Sequence, residues 1–179
     1  MTQKKTAEKI IFLDRDNTIN QDPGYISSPD QVVLLPRVGE ALKLLADAGY
    51  GLIVVSNQSG VGRGFFTEDA AQAVNDRINE CLAPFGVRID GFYMCFHHPD
   101  QACDCRKPGT ALFAAIERDF AVDTGRSYMV GDKESDVQFG LNTGIPAIKL
   151  THYDGRSSES ALCNVTDLYD AACFIISRD

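Results

Sequence analysis

The chain has 179 residues, 44% hydrophobic and 23% charged, which predicts one globular domain over 1–179 and excludes collagen-like, coiled-coil and extensively disordered structures. It carries 17 basic and 25 acidic residues, a formal charge of −8, so we expect no nucleic-acid partner. No apolar run approaches the roughly 18 to 20 residues that span a bilayer, and the run at 10–13 is too short for a signal peptide, so we expect a cytoplasmic protein without a membrane partner.

Short apolar runs alternate with segments of helical periodicity along the chain. A buried strand at 9–13 ends at acidic residues, and a helix follows over 38–48, with Gly49 at its left-handed end. After a second strand at 51–55, a glycine-containing loop leads to a helix that begins near Thr67, its predicted N-cap.

The second half continues this alternation as far as a terminal helix, for which we predict Thr166 as the cap. Further strands are predicted at 92–95, 127–130 and 145–150, and further helices at about 110–120, 132–144 and 166–176. Strands that alternate with helices predict an α/β fold: a Rossmann-like, doubly wound parallel sheet with helices on both faces. Ligands of such sheets bind beyond the carboxyl ends of the strands.

Polar groups of complementary chemistry occur where three of these strands end. Asp14 and Asp16 follow the first strand, Ser56 the second and Asp132 the fourth, while Lys107 comes from the loop before a helix. These ends converge in a parallel sheet, which predicts a site for a metal ion and a phosphate. Taken singly, the aspartates could form a turn, Asp132 a helix cap and Lys107 a solvated surface residue.

The twin aspartates suit phosphoryl transfer. One carboxylate can attack phosphorus while the other protonates the leaving oxygen and later deprotonates water. A carboxylate approaches a dianionic phosphate only when cations offset the repulsion. We therefore expect Mg²⁺ held by Asp14, Asp132 and a backbone carbonyl, with Lys107 as the second cation.

Four segments over residues 9–150, FLDRDNT, VVSNQSG, CRKP and MVGDKESD, resemble in order the four motifs of the haloacid dehalogenase-like phosphatases. The resemblance implies a magnesium-dependent phosphatase that works through an aspartyl phosphate. It implies these roles: Asp14 as nucleophile, Asp16 as acid and base, Ser56 and Lys107 as catalytic groups, Asp14, Asp16 and Asp132 as magnesium ligands, and Asp136 as support for the metal waters or Lys133.

Longer stretches, including CFHHPDQACDCRKP, resemble the subfamily of heptose bisphosphate phosphatases, which bind zinc. The resemblance implies removal of the 7-phosphate of a heptose 1,7-bisphosphate, and structural zinc in the loop 95–107, bound by Cys95, His97, Cys103 and Cys105. Three thiolates and an imidazole form a closed tetrahedral set, and cysteines in a reducing compartment bind metal more often than they pair. His98 is the competing ligand.

The same resemblance makes four residues candidates for contacting the sugar or its phosphates: Asn57, Arg63, Arg106 and Lys133. Each could instead form a surface salt bridge. Asn17 replaces the family's usual glycine, and asparagine tolerates the left-handed backbone that this turn needs. The five residues between His97 and Cys103 match the spacing of histidinol-phosphate phosphatases, so histidinol phosphate is the alternative substrate.

The gaps between the motifs are too short for a full cap domain, so we expect a minimal cap and an open site. The short loops at 21–35 and 60–66 and the zinc loop would then have to select the substrate, which we expect to be a small phosphorylated sugar. We also expect a monomer. A metal-binding scaffold with a decayed site is the non-enzymatic alternative, although every group that the reaction needs is present in the sequence.

Overall fold

A single six-stranded sheet forms the centre of the structure, a computed structural model that describes residues 9–179. Residues 1–8 of the predicted domain lie outside this range. The strand order is β3-β2-β1-β4-β5-β6, and every neighbouring pair is parallel. The strands are β1 (Ile10–Leu13), β2 (Gly51–Asn57), β3 (Gly91–Cys95), β4 (Tyr128–Gly131), β5 (Ala147–Leu150) and β6 (Cys163–Val165).

Helices connect the strands and cover both faces of the sheet. They are α1 (Val38–Asp47), a single turn α2 (Ser59–Gly62), α3 (Glu68–Leu82), α4 (Ala111–Asp119), α5 (Glu134–Thr143) and α6 (Leu168–Ile176). Short 3-10 turns occur at Pro29–Gln31, Ala83–Phe85 and Thr124–Arg126. The doubly wound α/β fold predicted from the sequence is therefore confirmed.

Both faces of the sheet are buried, which explains why the strands read as continuous apolar runs rather than alternating ones. In β1, Ile11 and Leu13 join the core cluster that also contains buried residues of α1, α3 and α6. Ile10 and Phe12 point the other way, into a cluster with residues of α4 and α5. The chain crosses the sheet between β3 and β4, so the winding changes direction between the adjacent strands β1 and β4.

The connection between β1 and α1 contains only two isolated bridges and one 3-10 turn. Residues 9–179 thus include no separate cap domain, which agrees with the predicted minimal cap. Within the same range no helix has the length and apolar character needed to cross a bilayer.

The predicted cap of the terminal helix is wrong. Helix α6 begins at Leu168, and the Asp167 carboxylate accepts the hydrogen bond from the Asp170 N–H at 3.0 Å. Thr166 instead pairs through its carbonyl with the His152 N–H. Strand β6 was not predicted, because three residues with a polar Asn164 carry too short an apolar signal. The caps predicted at Gly49 (φ +86°) and Thr67 are confirmed.

Candidate active site

Three adjacent strands bring the predicted catalytic groups to one edge of the sheet. Strand β1 lies between β2 and β4, so Asp14, Ser56 and Asp132 follow neighbouring strand ends. The Asp14 N–H continues the ladder with the Val130 carbonyl at 3.0 Å. Asn17 adopts φ +59° in the turn that follows, as expected for a residue in place of glycine.

Lys107 is a buried cation at the centre of this edge, with only 3% of its surface exposed. Its Nζ lies 2.9 Å from Asp14 Oδ1 and 2.7 Å from Asp136 Oδ1, and donates to the Val55 carbonyl at 2.6 Å. Burial by itself would lower the pKa of Lys107, but Asp136 and Asp14 raise it above its ordinary value. Lys107 therefore remains charged beside the predicted nucleophile.

Asp14 is held as a carboxylate by cations on two sides. Lys133 Nζ lies 3.5 Å from its Oδ2, opposite the contact with Lys107. Burial opposes ionisation, yet Lys107 and Lys133 together hold the pKa of Asp14 well below its usual range. The carboxylate is thus in the protonation state required of a nucleophile.

Three buried carboxylates form a cluster with the properties of a divalent-cation site. Oxygens of Asp14, Asp132 and Asp136 all lie within 4.8 Å of one another. Neither oxygen of Asp132 accepts a hydrogen bond from any residue in the described range 9–179. Burial raises the pKa of Asp132 to about 7, and Asp14 and Asp136 add to this effect while Lys133 opposes it. Buried carboxylate oxygens without partners fit an oxygen-ligated cation such as Mg²⁺.

Asp136, expected to support the site from further away, reaches this cluster directly. Its Oδ2 accepts the Lys133 N–H at 3.0 Å. A Cβ on Gly131 would lie 2.2 Å from that same oxygen, so only glycine leaves room for the carboxylate.

The Asp16 carboxylate is not part of the cluster. Its Oδ1 accepts hydrogen bonds from Arg15 Nε (2.9 Å) and Asn20 Nδ2 (3.1 Å), and its Oδ2 from a second Arg15 nitrogen (3.1 Å) and Gln58 Nε2 (2.8 Å). The structure therefore does not bring this side chain into the carboxylate cluster, and the acid and base role of Asp16 stays a prediction.

A buried polar network, which the sequence reasoning missed, holds Asp16. Arg15 is fully buried and also donates to Gln58 Oε1 at 2.8 Å and to Asn75 Oδ1 in α3 at 3.4 Å. The buried role of Arg15 could have been predicted from the sequence, because an arginine at the end of a buried strand needs carboxylate or amide partners. Nothing local marks Asn75, which lies 60 residues further along the chain.

Ser56 is buried and close to this network. Its Oγ accepts a hydrogen bond from Gln58 Nε2 at 3.0 Å. Because the oxygen acts as acceptor here, the hydroxyl hydrogen remains available for donation into the site.

The four predicted substrate-contacting residues separate into different environments. Lys133 lies beside Asp14, whereas Arg63 is exposed just after α2. Asn57 makes two hydrogen bonds with the Lys107 backbone, accepting from its N–H at 2.9 Å and donating to its carbonyl at 3.1 Å. Arg106 donates to the His97 carbonyl. The side chains of Asn57 and Arg106 thus brace the loop in this structure, and a substrate contact for either stays a prediction.

Four potential metal ligands meet at the end of β3. Cys95 Sγ lies 2.9 Å from Cys105 Sγ and 3.7 Å from Cys103 Sγ, and His97 Nδ1 lies 3.1 Å from Cys105 Sγ. A tetrahedral zinc site with Zn–S bonds of about 2.3 Å separates its sulfurs by roughly 3.8 Å, so the set fits zinc after small shifts. His98 is directed elsewhere, since its Nδ1 accepts the Asp100 N–H at 3.2 Å.

The fold and the site define a class of protein: an α/β enzyme in which acids, a hydroxyl and a buried lysine lie together at the carboxyl edge of a parallel sheet. Comparison with known proteins agrees with this assignment. The HAD-hydrolase-like family model matches residues 104–162.

Curated relatives extend the match over most of the chain. D-glycero-beta-D-manno-heptose-1,7-bisphosphate 7-phosphatase from Haemophilus ducreyi is 41% identical over 146 residues, covering 78% of this chain and 80% of the relative. The protein of the same name from Yersinia pestis is 40% identical over 152 residues, covering 81% and 79%.

A solved structure shows the same fold. D,D-heptose 1.7-bisphosphate phosphatase from B. bronchiseptica, crystallised with magnesium and phosphate, has a TM-score of 0.88 and 31% identity, covering 96% of this chain and 99% of that one. The chain belongs to the haloacid dehalogenase-like (HAD) hydrolases, as the motif resemblance implied.

Proposed function

We propose that this protein is a phosphatase that removes the 7-phosphate of D-glycero-D-manno-heptose 1,7-bisphosphate. The observation that carries the proposal is the buried Asp14 carboxylate, kept ionised between Lys107 and Lys133. The substrate follows from the curated relatives, which bear this activity in their names at about 40% identity.

The reaction proceeds in two displacements. An Asp14 oxygen attacks phosphorus, the bond between phosphorus and the C7 oxygen breaks, and Asp16 delivers a proton to that oxygen as the sugar leaves. A water molecule then attacks the phosphorus of the aspartyl phosphate and gives its proton to Asp16. Inorganic phosphate leaves, and both aspartates return to their starting states.

The other buried groups bind the transferring phosphoryl unit. The Ser56 hydroxyl offers an O–H donor to its oxygens, Lys107 places a buried positive charge beside Asp14, and Lys133 adds positive charge from the solvent side. Mg²⁺, held by Asp14 and Asp132 with Asp136 beside them, would supply further charge neutralisation. The network around Asp16 fixes the orientation of its carboxylate.

We also propose that Cys95, His97, Cys103 and Cys105 hold a structural zinc ion. All four ligand positions would come from the protein, which leaves none for catalysis. Lys107 follows two residues after Cys105, so the ion would fix the loop that carries the catalytic lysine. Thiol ligands suit the reducing cytoplasm, where we propose that the protein works.

A substrate panel tests the proposed activity. We expect kcat/KM for the heptose bisphosphate to exceed that for fructose bisphosphate and for histidinol phosphate by at least about 100-fold in the presence of Mg²⁺. A preference for histidinol phosphate would overturn the proposed substrate, and inactivity toward all three would overturn the proposed phosphatase.

Replacement of the nucleophile tests the covalent scheme. Asp14→Asn should lower kcat by at least about 10³-fold and abolish the phosphorylated enzyme seen by intact mass spectrometry. Asp47→Asn, the same change at an exposed position in α1, should behave as wild type. Phosphate release at the wild-type rate from Asp14→Asn would exclude the scheme.

Metal analysis tests the zinc proposal. Purified wild-type protein should contain one zinc per chain, and Cys103→Ser should contain much less. Cys173→Ser, the same change at an exposed cysteine of α6, serves as the control and should keep full occupancy. Full zinc occupancy in Cys103→Ser would refute the ligand set.

A further inference from the structure

Lys149 is a second buried lysine near the site, and the proposed reaction does not use it. It lies in β5 with 3% of its surface exposed. Its Nζ donates to the Asp132 carbonyl, to the Leu150 carbonyl at 3.0 Å, and to Asp154 Oδ1 at 3.4 Å. An ammonium group has three hydrogens, and these three acceptors account for all of them.

The contact with Asp132 matters because, among the described residues, the Asp132 carboxylate itself has only a long ion pair, with Lys133 Nζ 3.9 Å from its Oδ1. Both of its oxygens lack hydrogen-bond donors among residues 9–179. The direction in which the carboxylate points therefore depends on the main chain of Asp132, between β4 and α5. Lys149 binds that main chain at its carbonyl oxygen, from the adjacent strand β5.

We propose that Lys149 is a positioning residue for the cation site: it fixes the Asp132 backbone so that the carboxylate faces Asp14 and Asp136. The inference rests on the proposed function only in taking this cluster as the Mg²⁺ site. Groups that hold a metal ligand in place commonly change metal affinity 10- to 100-fold when replaced.

A variant of Asp154 can distinguish two roles of Lys149: holding the Asp132 backbone and forming an ion pair with Asp154. It is the only carboxylate within ion-pair distance of Lys149 Nζ among the described residues, and its side chain is 34% exposed. Removing its charge leaves the contact between Lys149 and the Asp132 carbonyl in place. A role in positioning thus predicts different results for the two members of the pair.

Calorimetric titration of the zinc-loaded, magnesium-free protein with Mg²⁺, without substrate, tests the proposal. Lys149→Met keeps the length of the side chain and removes its donors, so the Kd for Mg²⁺ should rise at least about 10-fold. Asp154→Asn should bind Mg²⁺ within about twofold of wild type. If Lys149→Met does not fold, Lys149→Gln, which keeps a polar group too short to reach the carbonyl, should show the same weakening.

Thermal unfolding distinguishes this role from a merely structural one. A structural role would lower the unfolding temperature equally with and without Mg²⁺, whereas positioning predicts that the Mg²⁺-induced rise becomes smaller in Lys149→Met. Wild-type Mg²⁺ affinity in either Lys149 variant would overturn the inference.

The proposed activity is judged separately from the role of Lys149. Weakened Mg²⁺ binding in the variants, together with a wild-type protein that cleaves no heptose bisphosphate, would support the role of Lys149 and refute the substrate. A wild-type protein that binds no Mg²⁺ would overturn both.

Discussion

Asp14 and Lys107 form a buried ion pair in which each residue depends on the other. Both are almost fully buried, at 3% exposure each, and Asp136 shares the same ammonium. Removing one partner of a buried pair typically destabilises a protein by about 3–5 kcal/mol, because the other charge is left without compensation. The charges proposed to act in catalysis are therefore structural charges as well.

Asn57 contacts the backbone of the buried lysine proposed for catalysis. Its amide holds both the N–H and the carbonyl of Lys107. We expect Asn57→Ala to destabilise the fold by about 1–2 kcal/mol and to lower kcat more than it raises KM, because the Lys107 backbone loses two hydrogen bonds. Steady-state kinetics and urea unfolding measure the two effects.

Asn142→Ala is the matched control, since Asn142 Nδ2 donates to the neighbouring Pro108 carbonyl and does not contact Lys107. Its kcat should stay close to wild type. A rise in KM alone for Asn57→Ala would instead indicate that Asn57 contacts the substrate, as the family resemblance implied.

At the scale of elements, the Asp167 carboxylate links the start of α6 to the residue that precedes α1. Asp167 caps α6 through the Asp170 N–H and pairs with Arg37, which precedes α1. Burial by itself would raise the pKa of Asp167, but the Asp170 N–H and the Arg37 guanidinium lower this pKa below its ordinary 3.8. One residue thus satisfies a helix end and links two helices on the same face of the sheet.

Loss of the Asp167 cap should lower the free energy of unfolding by a measurable amount. Asp167→Ala is expected to lower the free energy of unfolding by about 1 kcal/mol at pH 7, because one N–H at the start of α6 loses its acceptor. Thr166→Ala, at the cap position predicted from the sequence, should lower it by much less. Chemical denaturation at neutral pH compares the two variants.

The stabilisation that the Asp167 cap provides should depend on pH, and the lowered pKa of Asp167 gives the direction of this dependence. Because the folded pKa of Asp167 lies below its unfolded value, its contribution is present in full above about pH 5 and is lost as the pH falls below 3.8. The difference in stability between wild type and Asp167→Ala should shrink in that acidic range. A difference that grows in acid would contradict this account of the cap.

At the scale of the whole molecule, the cysteine and histidine loop is packed against the loop that follows β2. A Cβ on Gly62 in α2 would lie 2.3 Å from the His98 nitrogen and 2.6 Å from the His97 carbonyl carbon, both backbone atoms. The Gln58 N–H also donates to the Cys95 carbonyl at 2.8 Å. The proposed zinc site and the catalytic edge therefore form one connected structure.

Gly62→Ala should separate these two loops. Because the clash is with backbone rather than with a flexible side chain, we expect kcat/KM to fall at least about 10-fold, the effect of slightly misplaced catalytic groups. Zinc content should stay at one per chain, since no ligand is removed.

Gly125→Ala, whose added Cβ would meet only a side-chain oxygen at 3.4 Å, is the control and should keep wild-type activity. Wild-type kcat/KM in Gly62→Ala would show that the contact between the loops does not affect the site.

Much of the fold could be predicted because its signals are local. Four of the six strands are short, almost fully buried apolar runs, β3 is a partly buried apolar run, and several helix ends are marked by nearby residues such as Thr67 and Gly49. The cluster of Asp14 and Asp132, and the meeting of Cys95, His97, Cys103 and Cys105, could be inferred because parallel strand ends converge and metal ligands recur at short spacings.

The tertiary structure decided how individual side chains are used. It directed Asp16 toward Arg15 and Gln58, Asn57 toward the Lys107 backbone, and Lys149 toward the Asp132 carbonyl. Several of these partners lie 17 to 50 residues apart in the chain. The sequence by itself determined which chemical groups reach the edge of the sheet. Which of them pair with one another depends on hydrogen-bond geometry between distant segments, and this geometry exists only once the sheet and its loops are packed.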